Sequence, residues 1–302
     1  MVSEARLIAL DWGSTRLRAF LLGAGGALLE VRQTEDGAST LAGAPAFAQA
    51  LDAIAGDWRT ARPDLQVLAC GMVGSQHGWK EAPYAPCPAD AAALARHVLP
   101  LGNGVHIVPG LMHEGEQPDV MRGEETQIVG ALALQPQLAQ DACLVLPGTH
   151  AKWARVQQGR VTALATHMTG ELFALLRQHS VLARLMPAEG TTAPSPAGFL
   201  AGVDAARQAG ALSHQLFAVR TLGLFKRLPA EQLADYLSGL LIGHEIAHEL
   251  QAERPQQLAL VGDPALCERY AIALRRFGHD GALQLDNTAP AGLWQLAQTL
   301  GL

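Results

Sequence analysis

The sequence contains few cysteines and no closely spaced cysteine pair. Its four cysteines, Cys70, Cys87, Cys143 and Cys267, lie far apart along the 302 residues. Cysteine zinc sites use closely spaced pairs, so this spacing argues against such a site. Cysteines without a pairing pattern also suit a reducing compartment, where disulfides are rare.

Membrane and export signals are missing as well. A membrane-spanning helix needs roughly 18 or more consecutive apolar residues, and the sequence contains no such run. The N-terminus, MVSEARLIALDWG, mixes acidic and basic residues around a short strand, whereas a signal peptide has a basic region followed by an apolar one. We therefore expect a soluble, cytoplasmic protein with no membrane partner.

Charged residues are scarce, at 17% of the chain, and their balance is acidic. The net charge of −6 provides no general attraction for nucleic acid, so we expect no nucleic-acid partner, and an anionic substrate would need a local basic pocket. A hydrophobic content of 49%, with 31 glycines and 17 prolines, predicts a globular chain with many turns. Its length allows two domains, and it leaves the oligomeric state open, with a homodimer among the options.

The first part of the chain alternates strand and helix patterns. Residues 7–37 predict a strand, a tight turn at Asp11–Ser14, a second strand, a hairpin at Gly23–Gly26 and a third strand. The patterns that follow predict helices at about 44–58, 89–98 and 123–134, with strands at 66–74 and 105–111.

After a predicted linker at 135–142 the same plan starts again. Residues 143–171 predict strand, glycine turn, strand, hairpin and strand. Helices are then predicted at about 171–186, 197–209, 213–225, 230–253 and 264–278 and at the C-terminus, with strands at 257–262 and 282–287. This duplicated plan is typical of ribonuclease-H-like halves. We therefore expect an α/β fold of two such domains, residues 1–139 and 140–302, with an active-site cleft between them and the last helix crossing back to the first domain.

Two glycine turns occupy matching positions in the two halves. Gly13-Ser14-Thr15 follows the first strand, and Gly148-Thr149-His150 follows the equivalent strand of the second half. Consecutive N–H groups in such turns can bind phosphate oxygens, because no Cβ blocks the approach. Asp11, at the end of a buried strand, could hold Mg²⁺ through water. A single turn of this kind is usually a plain hairpin, but a matched pair predicts a nucleotide held between two domains.

Six blocks in order carry a more specific resemblance. The chain resembles the 2-dehydro-3-deoxygalactonokinase family of the superfamily that contains acetate and sugar kinases, Hsp70 and actin. The matching blocks are DWGSTRLRAFLL, GMVGSQHGWKEAPYAPCP, VPGL with PDVMRGEETQIVGAL, LPGTHAKW, HMTGELFALLRQHSVL and DYLSGLLIGHEI. The resemblance implies transfer of the ATP γ-phosphoryl group to the 6-hydroxyl of 2-dehydro-3-deoxy-D-galactonate, with ATP and Mg²⁺ required.

The resemblance also implies a division of catalytic roles. Asp11 is expected to place Mg²⁺, the two glycine turns to bind the phosphates, and either Lys152 or Arg16 to add positive charge. Several sugar kinases have a catalytic aspartate after a glycine at the helix start that corresponds to Gly123, where this chain has Glu124 and Glu125. Glu124 is our first candidate for the base, Glu125 the second and Asp119 the third, although acidic residues at a helix start can also serve the helix dipole alone.

Substrate contacts are expected in the loop after the strand at 66–74. Ser75, Gln76 and His77 could bond hydroxyl groups, and Trp79 could cover the sugar face, although a tryptophan is more often a core residue. Arg122 is the nearest arginine for the substrate carboxylate. The segment Met168–Glu171 could line the same site. Adenine is expected near Gly262, where many relatives have two glycines and this chain has Gly-Asp-Pro.

Residues 244–248 form a His-Glu-x-x-His sequence, which predicts a zinc hydrolase if taken alone, with Glu268 as third ligand. A predicted buried strand separates His248 from Glu268, and apolar residues surround the motif as in an interior helix, so we interpret the match as accidental. Two further functions stay open: a kinase of a related keto sugar acid or hexose, and a non-catalytic nucleotide-binding protein of the same fold.

Overall fold

A computed structural model describes residues 2–252 and 255–302. The strands of the first half are β1 (Ala5–Trp12), β2 (Leu17–Gly23), β3 (Leu28–Thr34), β4 (Gln66–Gly71), β5 (Tyr84–Pro86), β6 (Leu99–Gly102), β7 (Val105–Ile107), β8 (Gly110–His113) and β9 (Asp119–Met121). Its helices are α1 (Gly43–Ala61), α2 (Ala91–Ala95) and α3 (Glu124–Leu134).

The remaining strands are β10 (Asp141–Leu146), β11 (Ala151–Gln157), β12 (Arg160–His167), β13 (Gln257–Val261) and β14 (Leu283–Leu285). The helices that accompany them are α4 (Thr169–His179), α5 (Pro196–Ala206), α6 (Leu212–Leu224), α7 (Leu233–Ala252), α8 (Pro264–Arg276) and α9 (Ala289–Leu300). None of the helices described is both long and apolar enough to cross a membrane.

The two large sheets share one strand order. The first runs β3-β2-β1-β4-β7-β6 and the second β12-β11-β10-β13-β14. The central strands β1 and β10 correspond, as do the edge strands β3 and β12. The strands β4 and β13 each lie beside the central strand. The duplicated plan predicted from the sequence therefore appears as a duplicated topology. A small sheet, β5-β8-β9, was not predicted.

The central position of β1 follows from its sequence. β1 pairs with β2 antiparallel and with β4 parallel, and its residues are almost all buried. A strand covered on both faces needs a near-continuous apolar run, which ARLIALDW provides. One face packs on α1 through Ile8 and Trp12, while α9 also contacts β1.

Helix α1 shows how local sequence fixes an element. Phe47, Leu51, Ile54 and Trp58 recur at helical spacing and are buried against β1. The helix ends at Ala61 because the next residue, Arg62, precedes a proline and is disfavoured in the α conformation.

Several predicted helices have different bounds in the structure, and the one predicted at 89–98 is limited to Ala91–Ala95. The helix predicted at 171–186 ends at His179, because Ser180 has an extended backbone. The Ser180 side chain accepts a hydrogen bond from the Leu182 N–H and so caps a separate 3-10 turn. The helix predicted at 230–253 begins at Leu233 after a 3-10 turn, and residue 253 lies outside the described residues.

The chain forms two compact units that are discontinuous in sequence. Unit 1 contains residues 1–144, 154–165 and 285–302, and unit 2 contains residues 145–153 and 166–284. The last helix, α9, belongs to unit 1, where it packs against α3. The single division after residue 139 stays a prediction about the domains.

Candidate active site

The first candidate residue in unit 1 is Asp11, the penultimate residue of β1. Arg18, its partner on β2, places Nη2 3.5 Å from Asp11 Oδ2. That oxygen is buried and has no hydrogen-bond partner among the described residues. Burial raises the pKa of Asp11, while Arg18 and a hydrogen bond from Asn287 oppose the rise. A buried carboxylate oxygen that lacks a donor fits a cation ligand.

The first glycine turn follows directly. The Gly13 N–H donates to the Arg16 carbonyl (2.9 Å), while the carbonyls of Gly13 and Ser14 accept from the N–H groups of Ala38 (2.9 Å) and Ser39 (3.0 Å). Ser14 and Thr15 are exposed. The neighbouring segment therefore fixes the turn through its carbonyls and leaves its tip accessible.

Two glycines bring the start of α3 to the ends of β1 and β4. Gly71 has φ of 92°, and a Cβ there would lie 2.7 Å from the Trp12 carbonyl oxygen. Gly123 has φ of 109°, and its Cβ would lie 3.2 Å from Gly71 Cα. Side chains would push these backbones apart, so glycine at both positions allows Asp11 and the acidic pair of α3 to share one edge of the sheet.

The two glutamates of α3 have different surroundings. Glu125 is 1% exposed and accepts hydrogen bonds from the Gly123 N–H (2.6 Å) and the Thr126 hydroxyl (2.9 Å). Burial, followed by repulsion from Glu124, raises the pKa of Glu125 to about 8. Glu124 is only partly buried, and its Oε2 accepts from the Arg122 N–H (3.1 Å). Glu124 is thus the more accessible of the two predicted base candidates, whereas Glu125 caps the helix start.

Arg122 precedes this pair in the chain, and only part of its guanidinium group is hydrogen-bonded. Nη2 donates to the Ala82 carbonyl (2.9 Å), and the group lies over the Tyr84 ring, 4.3 Å from its centroid. Nε and Nη1 are buried and find no hydrogen-bond partner within the described chain. Two unpaired donors on a buried cation are suited to a carboxylate. Gly74 provides the space, because a Cβ there would lie 3.0 Å from Nη1.

The predicted substrate loop folds back over the end of β4. Ser75 lies at its turn, where its N–H donates to Met72 and its carbonyl accepts from Gly78. Ser75 is half-buried, and Gln76 is exposed. Both side chains therefore lie at the accessible part of the loop, as a hydroxyl-binding role requires.

Trp79, from the same loop, packs inward. Its ring lies 6.1 Å from Trp12 and 6.2 Å from Phe47 between centroids. Adjacent strand residues point to opposite faces of a sheet, so a ring packed on Trp12 lies on the face away from Asp11. Trp79 is partly buried and packs against the core of unit 1, and its predicted contact with the sugar gains no support.

The second glycine turn, in unit 2, meets the start of α4. A Cβ on Gly170 would lie 2.5 Å from the Gly148 carbonyl oxygen, and the Glu171 N–H donates to the Thr149 carbonyl (3.0 Å). His150 Nε2 lies 2.5 Å from Glu171 Oε2. A glycine turn beside the N-terminus of an 11-residue helix concentrates N–H groups and positive dipole, which suits an anion.

A pocket of about 510 Å³ opens beside this turn. Its wall includes Gly148, Thr149, Phe173 of α4, Ser238 of α7 and Tyr270 of α8. The volume lies within the range of small-molecule and cofactor sites. The sequence predicted the phosphate turn but did not identify the pocket, because residues from α4, α7 and α8 meet only in the folded chain.

The predicted adenine position lies close to the same elements. Gly262 follows β13 with φ of 137°, and Asp263 accepts a hydrogen bond from the Leu266 N–H (2.9 Å) and so caps α8. Leu266 and Arg269 of α8 line the pocket, whereas Gly262 is not among its lining residues. Gly262 therefore sets the direction of the chain into α8, and its contact with adenine stays a prediction.

The two cations considered for the phosphates differ in exposure. Lys152 is 7% exposed, and its Nζ donates to the Thr166 hydroxyl (2.8 Å). Arg16 is exposed and pairs with Glu35 at 3.4 Å. Asn287 and Arg18, which both act on Asp11, were not predicted, because nothing in their local sequence marks them.

The His-Glu-x-x-His motif is built into the core of unit 2. Glu245 is 3% exposed and accepts hydrogen bonds from Trp153, Thr169 and Tyr270, while His244 bonds to Gln215. Within residues 2–252 and 255–302, no three His, Cys, Asp or Glu side chains are grouped to hold a metal. The glutamate of the motif therefore serves as a hydrogen-bond acceptor in the fold.

The sequence and structure are similar to those of known proteins over nearly their full length. A family model for 2-keto-3-deoxy-galactonokinase matches residues 11–296. The 2-dehydro-3-deoxygalactonokinase of Escherichia coli (strain K12) is 38% identical over 299 residues, which cover 98% of this chain and 99% of that protein. The crystal structure of a Sinorhizobium meliloti protein assigned to the same kinases superposes with a TM-score of 0.88, at 33% identity, over 97% of this chain and 99% of the other.

A more distant structure shows the fold alone. The activator of 2-hydroxyisocaproyl-CoA dehydratase from Clostridium difficile, solved with bound ADPNP, has a TM-score of 0.52 at 12% identity and covers 97% of this chain and 95% of that one. Together with the repeated strand order, this likeness confirms the predicted fold of ribonuclease-H-like domains.

Proposed function

Because the chain belongs to the 2-keto-3-deoxy-galactonokinase family, a family of sugar-acid kinases, we propose that it transfers the γ-phosphoryl group of ATP to the 6-hydroxyl of 2-dehydro-3-deoxy-D-galactonate. The proposal rests above all on the meeting of β1, β4 and α3 at Trp12, Gly71 and Gly123. That meeting supplies, in one unit, a carboxylate for a metal, a second carboxylate for a proton and an arginine for an acid group.

In the proposed reaction the 6-hydroxyl oxygen forms a bond to the γ-phosphorus while the bond between that phosphorus and the β–γ bridging oxygen breaks. ADP leaves, and the hydroxyl proton passes to a carboxylate. Glu124 is the proposed acceptor because it is more accessible than Glu125 and begins a helix at the edge that holds Asp11.

Recognition of the sugar acid is assigned to Arg122 and to the loop after β4. The unpaired Nε and Nη1 of Arg122 would donate to the substrate carboxylate. Ser75 and Gln76 would bond its hydroxyl groups. The carboxylate is at C1 and the reacting hydroxyl at C6, so the substrate bound at Arg122 would extend along the site to bring its 6-hydroxyl to Glu124.

The nucleotide is assigned to unit 2. The pocket of about 510 Å³ would hold the nucleoside, and Gly148, Thr149 and His150 would bind phosphate oxygens together with the start of α4. Gly13, Ser14 and Thr15 form the corresponding phosphate turn of unit 1. Because the proposed reaction consumes ATP, we assign the protein to the cytoplasm.

Mg²⁺ fits the residues of unit 1. The buried Oδ2 of Asp11, which accepts no hydrogen bond among the described residues, is the atom proposed to hold it through water. When bound, Mg²⁺ would neutralise charge on the phosphate oxygens. Burial raises the pKa of Asp11, and Arg18 and Asn287 would favour its ionised form against that effect.

An ADP-release assay with a panel of 2-keto-3-deoxy acids and hexoses tests the proposal. We expect the highest kcat/KM for 2-dehydro-3-deoxy-D-galactonate, and phosphorus NMR of the product should show a phosphate ester on C6. The 6-deoxy analogue is the matched control, because it keeps the carboxylate and keto group but lacks the acceptor oxygen. A higher kcat/KM for another acid or a hexose would identify a related kinase instead. An ADP-release rate that is the same with and without each acceptor would contradict the proposed transfer.

A further inference from the structure

Helix α7 contains two buried acids that the proposed chemistry does not use. Glu245 and Glu249 are four residues apart, which places them on one face of the helix. They are 3% and 9% exposed. Burying a carboxylate is costly unless it is paired or hydrogen-bonded, so the partners of these two residues indicate what they do.

Glu245 joins three elements that line the nucleotide pocket or lead to it. Its Oε1 accepts from Trp153 Nε1 (2.7 Å), and Trp153 lies on β11 directly after the glycine turn. Its Oε2 accepts from the hydroxyls of Thr169, the first residue of α4, and Tyr270 of α8 (2.9 Å). Thr169 and Tyr270 both line the pocket. Burial raises the pKa of Glu245, and its three donors and nearby His167 oppose that rise.

Glu249 binds the same region one helical turn further along α7. His167 Nε2 lies 2.8 Å from Glu249 Oε1, and His167 is the last residue of β12. The ring of His248 packs edge-on against His167, with 5.9 Å between centroids. The two glutamates therefore hold residues 167 and 169, which are the two sides of the β12–α4 junction.

This junction sets the distance between α4 and the glycine turn. Gly170 follows Thr169 and lies so close to the turn that an added Cβ would be 2.5 Å from the Gly148 carbonyl oxygen and 2.8 Å from Thr149 Cα. The Glu171 N–H closes the contact by donating to Thr149. A shift of the junction would move the first N–H groups of α4 relative to the turn.

We propose that Glu245 and Glu249 are positioning residues that hold the β12–α4 junction so that the start of α4 and the second glycine turn form one phosphate-binding surface. The inference rests on the proposed binding of ATP phosphates at that turn. The remaining packing of α7 does not need the two acids, because Leu237, Leu240 and Leu241 join it to an apolar cluster of unit 2.

Binding of the non-hydrolysable analogue AMPPNP, measured by calorimetry on the full-length protein, tests the positioning role. Glu245→Gln keeps the shape of the side chain but leaves one acceptor oxygen for three donors, and we expect it to weaken AMPPNP binding at least about tenfold. The KM for the sugar acid should stay within about twofold of wild type, a split that a general loss of stability would not produce.

Glu249 provides a second, independent variant. Glu249→Leu removes the acceptor for His167 and should also weaken AMPPNP binding, whereas Glu249→Gln keeps an acceptor oxygen and should restore most of it. Glu268→Gln removes an exposed carboxylate that pairs with Arg275 at 3.1 Å, and it should bind AMPPNP as wild type does. Circular dichroism identifies the variants that are folded, and Glu249→Leu decides the test if Glu245→Gln is unfolded.

The results separate this role from the proposed reaction. Wild-type protein that binds AMPPNP but does not phosphorylate the sugar acid would contradict the proposed function. Folded Glu245→Gln and Glu249→Leu variants that bind AMPPNP with wild-type affinity would overturn the positioning role, whatever the acceptor proves to be.

Discussion

Gly71 and Gly123 meet backbone to backbone, each with a φ angle that side-chain-bearing residues rarely adopt. The angles are 92° and 109°, and a Cβ on Gly123 would lie 3.2 Å from the Cα of Gly71. One glycine ends β4, and the other precedes α3. Their contact determines where Glu124 begins its helix relative to Asp11.

Gly123→Ala should therefore lower kcat strongly. The alanine would be strained in this conformation, by about 1–3 kcal/mol, and its Cβ would press on Gly71 and move the start of α3. Steady-state turnover and a denaturation curve measure the two effects. Gly25→Ala is the matched control, because Gly25 also has a positive φ of 67° but meets nothing within 4 Å. It should lose stability without losing activity, and equal activity of both variants would show that the glycine contact does not position the site.

Asp11→Asn should reduce turnover by orders of magnitude without unfolding the protein. The amide removes the charge from the carboxyl oxygen that accepts no hydrogen bond among the described residues, while Arg18 and Asn287 remain as neighbours. Turnover is measured as a function of MgCl₂ concentration. Asp52→Asn, at an exposed ion pair with Arg59, is the control and should behave as wild type. An unchanged rate and Mg²⁺ dependence in Asp11→Asn would remove Asp11 from the mechanism.

Much of this fold could be predicted from the sequence, because its elements follow local signals. The apolar run of β1, the helical spacing of Phe47, Leu51 and Trp58, and the proline after Arg62 each determine an element without help from distant residues. The predicted end of the helix at 171–186 was wrong, because the Ser180 side chain caps the next turn and this competes with continuation of the helix.

Site residues could be predicted only where the residue types and their local spacing indicate a chemical role. The glycine turns and the acidic pair after Gly123 meet that condition. Asn287 does not, because it approaches Asp11 from a position more than two hundred residues away in the sequence. Trp79 has a plausible side chain for a sugar, yet its direction depends on Trp12 and Phe47, which the sequence could not place beside it.

Glu125 should make the stability of the protein depend on pH in a defined direction. Burial raises its pKa from 4.5 to about 8, so the folded state prefers the protonated form. Its contribution to stability is fully present below its pKa in the unfolded chain and is lost as the pH rises through about 8. Denaturant unfolding between about pH 6 and pH 9 should show a smaller fall in unfolding free energy for Glu125→Gln than for wild type. Parallel pH dependence in the two proteins would contradict the buried, protonated state.

The zinc interpretation of α7 can be tested directly. Elemental analysis of the purified protein should find no stoichiometric zinc, and His244→Ala should keep kinase activity, because His244 bonds to Gln215 and belongs to no metal-binding group of side chains among the described residues. Any effect of the substitution should be a lower melting temperature, without a loss of kinase activity. A variant that loses both a bound metal and its activity would show that the motif has a metal-dependent role.

Glu124→Gln should lower kcat by at least about a hundredfold, because the amide can orient the sugar hydroxyl but cannot take its proton. The KM for the sugar acid should change little for the same reason. Glu124 is only partly buried, and Glu125, its neighbour, is 1% exposed with both carboxylate oxygens in hydrogen bonds. Successive helix residues point about 100° apart, so only one of them can face the acceptor.

Glu125→Gln is the matched control for this prediction, since it makes the same chemical change one residue further along α3. We expect it to keep most of the wild-type kcat. A large loss in Glu125→Gln with little change in Glu124→Gln would move the base by one residue and leave the reaction intact. If neither variant lost activity, the base would lie elsewhere, and Asp119→Asn would be measured next. Asp119 is five residues before Glu124 in the sequence but belongs to β9 rather than to α3. Its side chain accepts a hydrogen bond from the Val120 N–H (2.7 Å).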